Sequence, residues 1–513
     1  MSNRQADNLF QLLKSLNKSE KRNFKLYVKR NFTDADLKVT RLFDALDSLD
    51  QYDEALLLKK AKGIAKAQLS NLKAHLYKLI LSSLRLIRQD DNITLQLHEQ
   101  MDFARILYNK GLYLQALKVL DKMKLHAKEY EQFTYMQQIL FFEKKIEALY
   151  ITRSMQDRAQ LLTGEAEAVA EKIDIVSKLS NLSLLLYSWY IQHGVARNHK
   201  EGEAARKFFE DRLPPGSEKL KGFYELLYLY QCHCWVAFIC QDFLQYYRYT
   251  QKWVQLFEKQ PAMIEVEAAH YIKGLHNLMG AHFDLHNGQK LKETIEQFEK
   301  FAETRFVQQN ENYRILCFVY LYIARINQHF TDGSFTKGLK LVPEIEKQLE
   351  QYELYLDRHR ILTFYYKIAC LYFGSGNNEK AIEYLHKIIN WKTDLRSDLQ
   401  CYARLLHLIA HYELGNYSLL EYLIKSVYRF MGKMGSLSSV EEEIFKFLRA
   451  SFTLKPDKVK PAFEKLLERM KKYEGNSFEN RAFLYLDIIS WLQSKIEGVP
   501  VQEVIKEKAK GRR

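Results

Sequence analysis

The chain has 513 residues, with 77 Lys and Arg against 63 Asp and Glu, a net charge of +14 and 47% hydrophobic residues. That length exceeds the roughly 250–300 residues at which one core stops growing, which leaves several domains or a stack of repeats. Only 20 Gly and 7 Pro are present, too few turn residues for a sheet-rich protein, and the apolar content excludes general disorder. The expectation is an all-α chain.

The first 90 residues hold 18 basic against 10 acidic side chains and the last 23 hold 6 against 3, so the long middle is close to neutral. The opening lacks the apolar stretch and small-residue cleavage site of a secretory leader. The longest apolar run, 315–324, is half of the roughly 20 residues a spanning helix needs, so a cytoplasmic protein without a membrane span is expected. Residues 1–90 read as a basic N-terminal helical domain, and 66–88 predict one of its helices. At about 100° per residue, Lys66, Lys73, Lys78, Arg85 and Arg88 gather on one side, opposite Leu69, Leu72, Leu76, Leu79, Ile80 and Ile87. Such a face docks an anionic partner such as nucleic acid, or is solvated over a packed bundle.

Residues 91–475 carry a recurring pattern. Gly111, Tyr113 and Ala116 recur as Gly333, Phe335 and Gly338, as Gly376 and Ala381, and as Gly415, Tyr417 and Leu420. The glycine ends a helix in a left-handed conformation, the aromatic residue packs into the angle, and the small residue lets two helix backbones approach. Weaker anchors fall at Ala159, Ala205, Tyr246, Thr294 and Ala462, which gives a period of about 43 residues. Pro214-Pro215-Gly216 is the strongest breaker, and 431–436 is a second one. Residues 476–513 supply a C-terminal capping helix, within 481–496, and a basic tail.

The Gly-x-Tyr-x-x-Ala turn, with Ile368, Ala369 and Tyr372 before Gly376 and Leu385 and Ile388 after it, resembles a tetratricopeptide repeat. The period departs from the family's, which is about 34 residues. The layout also resembles uncharacterised long helical-repeat proteins of Bacteroidetes-type bacteria. The first resemblance implies stacked helical hairpins, a TPR-like α-solenoid; the second implies no activity.

No catalytic signature accompanies the repeats. There is no Gly-rich loop ending in Lys-Ser or Lys-Thr and no GxSxG elbow. The pairs His407/His411 and His282/His286 each sit one helical turn apart, but neither has a third ligand nearby in sequence, so packing is expected and no metal. Cys232-His233-Cys234 cannot converge on one ion from a helix, and six scattered cysteines make no disulfide framework. Clusters such as Tyr224, Tyr228, Tyr230 and Tyr246, Tyr247, Tyr249 exceed one packing face. The sequence therefore points to a non-enzymatic scaffold, without cofactor, that holds a protein or peptide partner. The alternative is a nucleic-acid-binding regulator that uses the basic N-terminal domain.

Overall fold

The computed structural model describes residues 7–31, 37–87, 92–149, 157–391, 397–434, 439–451, 454–473 and 487–511. Among these, all regular structure is helical, and no helix is long and apolar enough to cross a membrane. The chain forms two compact units, Met1–Glu171 and Lys172–Arg513.

In the first unit, five helices from Asn8–Ser15 to Lys66–Ile87 close around a core that includes Leu13, Phe24, Phe43, Leu46, Leu76 and Ile80. The Asn-Lys-Ser-Glu sequence at 17–20 starts the second of them with a reciprocal cap: Asn17 Oδ1 accepts from Glu20 N and Glu20 Oε2 accepts from Asn17 N, both at 2.9 Å. Helices Ile93–Asn109, Tyr113–Glu129 and Phe133–Glu147 follow, each packed on the next.

The second unit is built from consecutive helix pairs. Phe223–Ile239 packs on Phe243–Lys259, Ala268–Asp284 on Gly288–Ala302, Arg358–Gly374 on Asn378–Ile389, and Ser397–Glu413 on Tyr417–Lys433. Between the second and third of these pairs, Glu311–Thr331 is followed by the short Phe335–Gly338.

One turn closes all these pairs. A residue in the left-handed region ends the first helix: Gln241 (φ 55°), His286 (53°), Gly333 (63°), Gly376 (88°) and Gly415 (70°), with Gly111 (76°) doing the same in the first unit. The N–H of the following residue then donates to the carbonyl five residues back, as in Asp242 to Ala237, Asn287 to His282 and Asn416 to His411, at 2.8–3.1 Å. Five residues beyond the left-handed position, Ala116, Tyr246, Leu291, Gly338, Ala381 and Leu420 are buried.

Two anchors expected from sequence move. Leu291 holds the place assigned to Thr294, because His286 makes the turn and Gly288 already opens the next helix. Ala159 is exposed near the start of the long helix Arg158–His193. The aromatic position is also uneven. Phe335 is buried and Tyr113 packs on Tyr108 at 5.4 Å, but Tyr417 stands half exposed.

The small residues answer to the neighbouring pair. A Cβ on Gly374 would come within 2.2 Å of the Phe335 ring, and one on Gly338 within 2.7 Å of Leu371 Cδ2. Farther on, buried Trp491 donates its indole N–H to Glu413 Oε1 at 2.7 Å, and Lys495 pairs with the same carboxylate. The final helix, Val501–Gly511, crosses the Gly333 turn so closely that a Cβ there would lie 2.5 Å from Lys506 N, and Thr336 Oγ1 donates to Gln502 Oε1 at 3.0 Å. Pro214-Pro215-Gly216 links His199–Glu210 to Phe223–Ile239 inside this unit, with Gly216 left-handed. Residues 435–436 of the second expected break and 481–486 of the capping segment lie outside the described residues.

Gly374 and Gly376 separate two physical demands. Gly374→Ala is expected to destabilise by about 1–3 kcal/mol through overpacking on Phe335. Gly376→Ala meets no atom within 4 Å, so only the left-handed backbone penalty of about 1–2 kcal/mol applies. Urea unfolding of the two variants measures the difference.

Candidate functional site

On the helix Lys66–Ile87, Lys66, Lys78 and Arg85 are exposed and Lys73 is half-buried, and three of these four meet carboxylates. Lys73 forms an ion pair with Asp7 and donates to Tyr52 Oη at 2.9 Å. Burial works against its charged form, but these two partners outweigh it and hold Lys73 above its ordinary value. Arg85 meets Asp102 at 3.1 Å and Lys66 lies 3.9 Å from Glu54, while Lys78 is exposed. Arg88 lies outside the described residues. The one-sided pattern is real; three of its members are tied to carboxylates of their own unit.

The histidine pairs have different fates. His286 is the left-handed turn residue, so it does not converge with His282, which is buried 5.3 Å from the Tyr247 ring. His407 and His411 are both buried, and the structure brings them a third histidine from the preceding pair, the exposed His386. The Nε2 atoms of His386 and His407 are 2.8 Å apart, and those of His407 and His411 are 3.2 Å apart. Burial, with the positive charge potential of His411, His386 and Arg404 around it, holds His407 down at about 3, a neutral imidazole with one lone pair. On the far side of His411, Nδ1 lies 3.1 Å from Asn416 Nδ2, the residue after the left-handed turn. His329 meets Ser334 in the same register at 2.7 Å.

Around Cys232 and Cys234 burial rules. His233 stacks on Tyr249 with centroids 4.0 Å apart, and the Cys232 thiol is pushed up to about 12. All six cysteines are free, and five are buried. Of the tyrosine clusters, Tyr246 is buried, while Tyr230 and Tyr249 lie beneath the Lys252 ammonium.

A site without any local motif lies along the first helices of successive pairs. The Lys273 ammonium sits 5.6 Å from the Trp235 ring centroid. One turn on, His276 stacks on Tyr320 at 4.0 Å. Lys367 donates to Asn327 Oδ1 at 2.5 Å between the rings of Phe283 and Phe330, 5.8 and 5.5 Å away. Among the described residues neither ammonium forms an ion pair. Burial lowers Lys273, with Arg360 adding to it, and lowers Lys367 to about 8 although Cys370 and Asp284 work the other way. His276, half-buried and facing Lys273, Lys367 and Arg360, is held at about 3 by the water it loses and by these charges. These are half-buried cations and a neutral imidazole in an aromatic seam, where Asp284 acts on Lys367 without forming an ion pair with it.

In the first unit, Ile93–Asn109 and Phe133–Glu147 border a groove of about 470 Å³ lined by Arg105, Tyr108, Phe141, Phe142 and Lys145. Buried Glu143 nearby is satisfied by Lys124 at 2.5 Å and Arg158 at 3.4 Å, the pattern of an architectural ion pair. No protein family, curated protein or solved structure matches the chain.

Three imidazoles held neutral, His282 buried and His233 and His276 half-buried, set a pH response. His233, His276 and His282 are held at about 4, 3 and 4 by burial, whereas in the unfolded chain they titrate near 6.5. The folded form therefore stays neutral while the unfolded form takes up protons, and stability present above about pH 6.5 is lost as pH falls toward 4. Each contributes up to about 2 kcal/mol of loss by pH 5. Tm measured from pH 7.5 to 4.5 is expected to fall steadily, and less steeply in His276→Phe, which keeps the stack on Tyr320.

Proposed function

We propose that the chain is a non-enzymatic interaction scaffold, a solenoid of TPR-like helix pairs whose seam receives an extended acidic segment of a partner protein. The recurrence of one turn at 241, 286, 333, 376 and 415 supports the stacked arrangement. The observation that carries the binding reading is the pair Lys273 and Lys367: partly desolvated ammoniums, lowered from their ordinary value, flanked by aromatic rings and, among the described residues, in no direct ion pair, with Asp284 acting on Lys367 from farther off. A carboxylate entering the seam would replace the solvation that burial removed, which is worth more there than at an open surface. Trp235 and Tyr320 add the flat apolar area that peptide recognition uses. Free cysteines throughout accord with work in a reducing, cytoplasmic compartment. The step from fold to function is by analogy, so the seam's charge must bear the test.

The test pans a display library of Glu- and Asp-rich peptides on the intact chain and measures selected binders by calorimetry near pH 8.5. Lys367, lowered to about 8, is then partly neutral, and a bound carboxylate raises its affinity for a proton. Binding is expected to take up protons, seen as a heat that differs between buffers of different ionisation enthalpy. Lys273→Gln with Lys367→Gln should weaken it at least tenfold and abolish the uptake, with circular dichroism as the folding control. Peptide binding indifferent to both lysines sinks the reading. Tight binding of random duplex DNA or RNA, falling steeply with salt and lost on replacing Lys66, Lys78 and Arg85, favours nucleic acid instead.

A further inference from the structure

We infer that His386, His407 and His411 form a three-imidazole site for a divalent transition-metal ion of the zinc class, clipping the helix Asn378–Ile389 to Ser397–Glu413 of the next pair. Their ligand nitrogens all lie within 4.8 Å of one another, and two of the separations are 2.8 and 3.2 Å. Zn–N bonds of about 2.0–2.1 Å in a tetrahedral arrangement place ligand nitrogens about 3.3 Å apart. Small rotations of the rings, freest for exposed His386, meet that requirement.

Hydrogen bonding alone does not satisfy the cluster. His407 Nε2 faces both neighbours, and a neutral imidazole nitrogen carries either one proton or one lone pair. If it is protonated it serves one neighbour; if it is unprotonated, two donors compete for one lone pair. A cation at the centre takes a lone pair from all three at once.

The surroundings suit that state. With its amide turned so that Oδ1 faces the ring, Asn416 accepts a hydrogen bond from the His411 Nδ1–H, which leaves the Nε2 lone pair free for the ion; a ligating histidine is usually held this way. Gln400 Nε2 donates to Ile388 O at 2.8 Å and fixes the two helices beside the site. The nearby Arg404 is turned onto the Phe430 ring, 3.9 Å from its centroid, and donates to the Gln400 carbonyl. Exposed His386 leaves the fourth position to water. Three imidazoles select zinc, cobalt, nickel or copper over calcium or magnesium.

The experiment uses the full chain, free of any affinity tag and stripped with a chelator. Zn²⁺ is titrated against a chromophoric competitor, and Co²⁺ in parallel for its visible spectrum. One saturable equivalent, a four-coordinate Co²⁺ absorption and a Tm raised by Zn²⁺ are expected. His386→Ala should weaken binding at least tenfold and remove both the absorption and the Tm rise. Asn416→Leu should weaken it by about tenfold, the range of a lost outer-sphere partner. His386 is exposed, so its variant keeps the fold and decides the matter even if His407→Ala does not fold. Absence of saturable binding, or binding that His386→Ala leaves unchanged, overturns the site.

Discussion

The structure depends on a chain reversal made by one residue with positive φ. Once that residue turns left-handed, the next N–H reaches the carbonyl five positions back, the helix ends, and the following helix starts in a fixed phase. The phase buries the residue five beyond the turn and directs the first helix against the pair that follows. Gln241 and His286 adopt this geometry without being glycine, at a cost of about 1–2 kcal/mol each. The cap bonds made by Asp242 and Asn287 to Gln245 N and Lys290 N offset part of that cost.

Satisfied and unsatisfied charge divides the polar interior into two kinds. Glu143 is wholly buried and has two cationic partners; Glu413 is held by Trp491 and Lys495. Both tie helices together and offer nothing further. Lys273, Lys367, His407 and His411 are also withdrawn from water, but the groups in direct contact with them are rings, amides or other imidazoles. Burial without compensation marks a place that gains from a ligand, which is why the proposed seam and the proposed clip both lie on the faces that successive pairs turn to one another.

The all-helical class and the glycine turns were legible in the sequence because both are local: turn residues are scarce, and glycine advertises a left-handed backbone. No glycine marks the turns at Gln241 and His286; Tyr246 still stood at its place five residues past Gln241, whereas Thr294 stands three residues past Leu291, the buried position after His286. Asp242 and Asn287, standing as caps, were the available signal. The seam escaped because Trp235, Lys273, Tyr320 and Lys367 lie about one repeat apart, so no window along the chain contains two of them together with their partners. His386 escaped for the same reason. A metal argument confined to one helix finds His407 and His411 and stops, whereas the third nitrogen arrives from the pair before. On the basic helix the stripe was visible, but not the carboxylates Asp7, Glu54 and Asp102 that meet three of its members.

A stack in which each pair touches only its neighbours unravels from its end, one pair at a time, because losing the last costs nothing to those farther in. The final helix here breaks that rule. Residues 501–511 rest on the turn at Gly333, and Thr336 and Gln502 join across a sequence separation of 166 residues. Fraying of the final helix therefore releases its contact with the Gly333 turn, and the helix pairs between them in sequence lie inside the loop so closed. Opening of the last helix is thereby linked to opening at the Gly333 turn, a coupling that contacts between sequence neighbours alone do not supply.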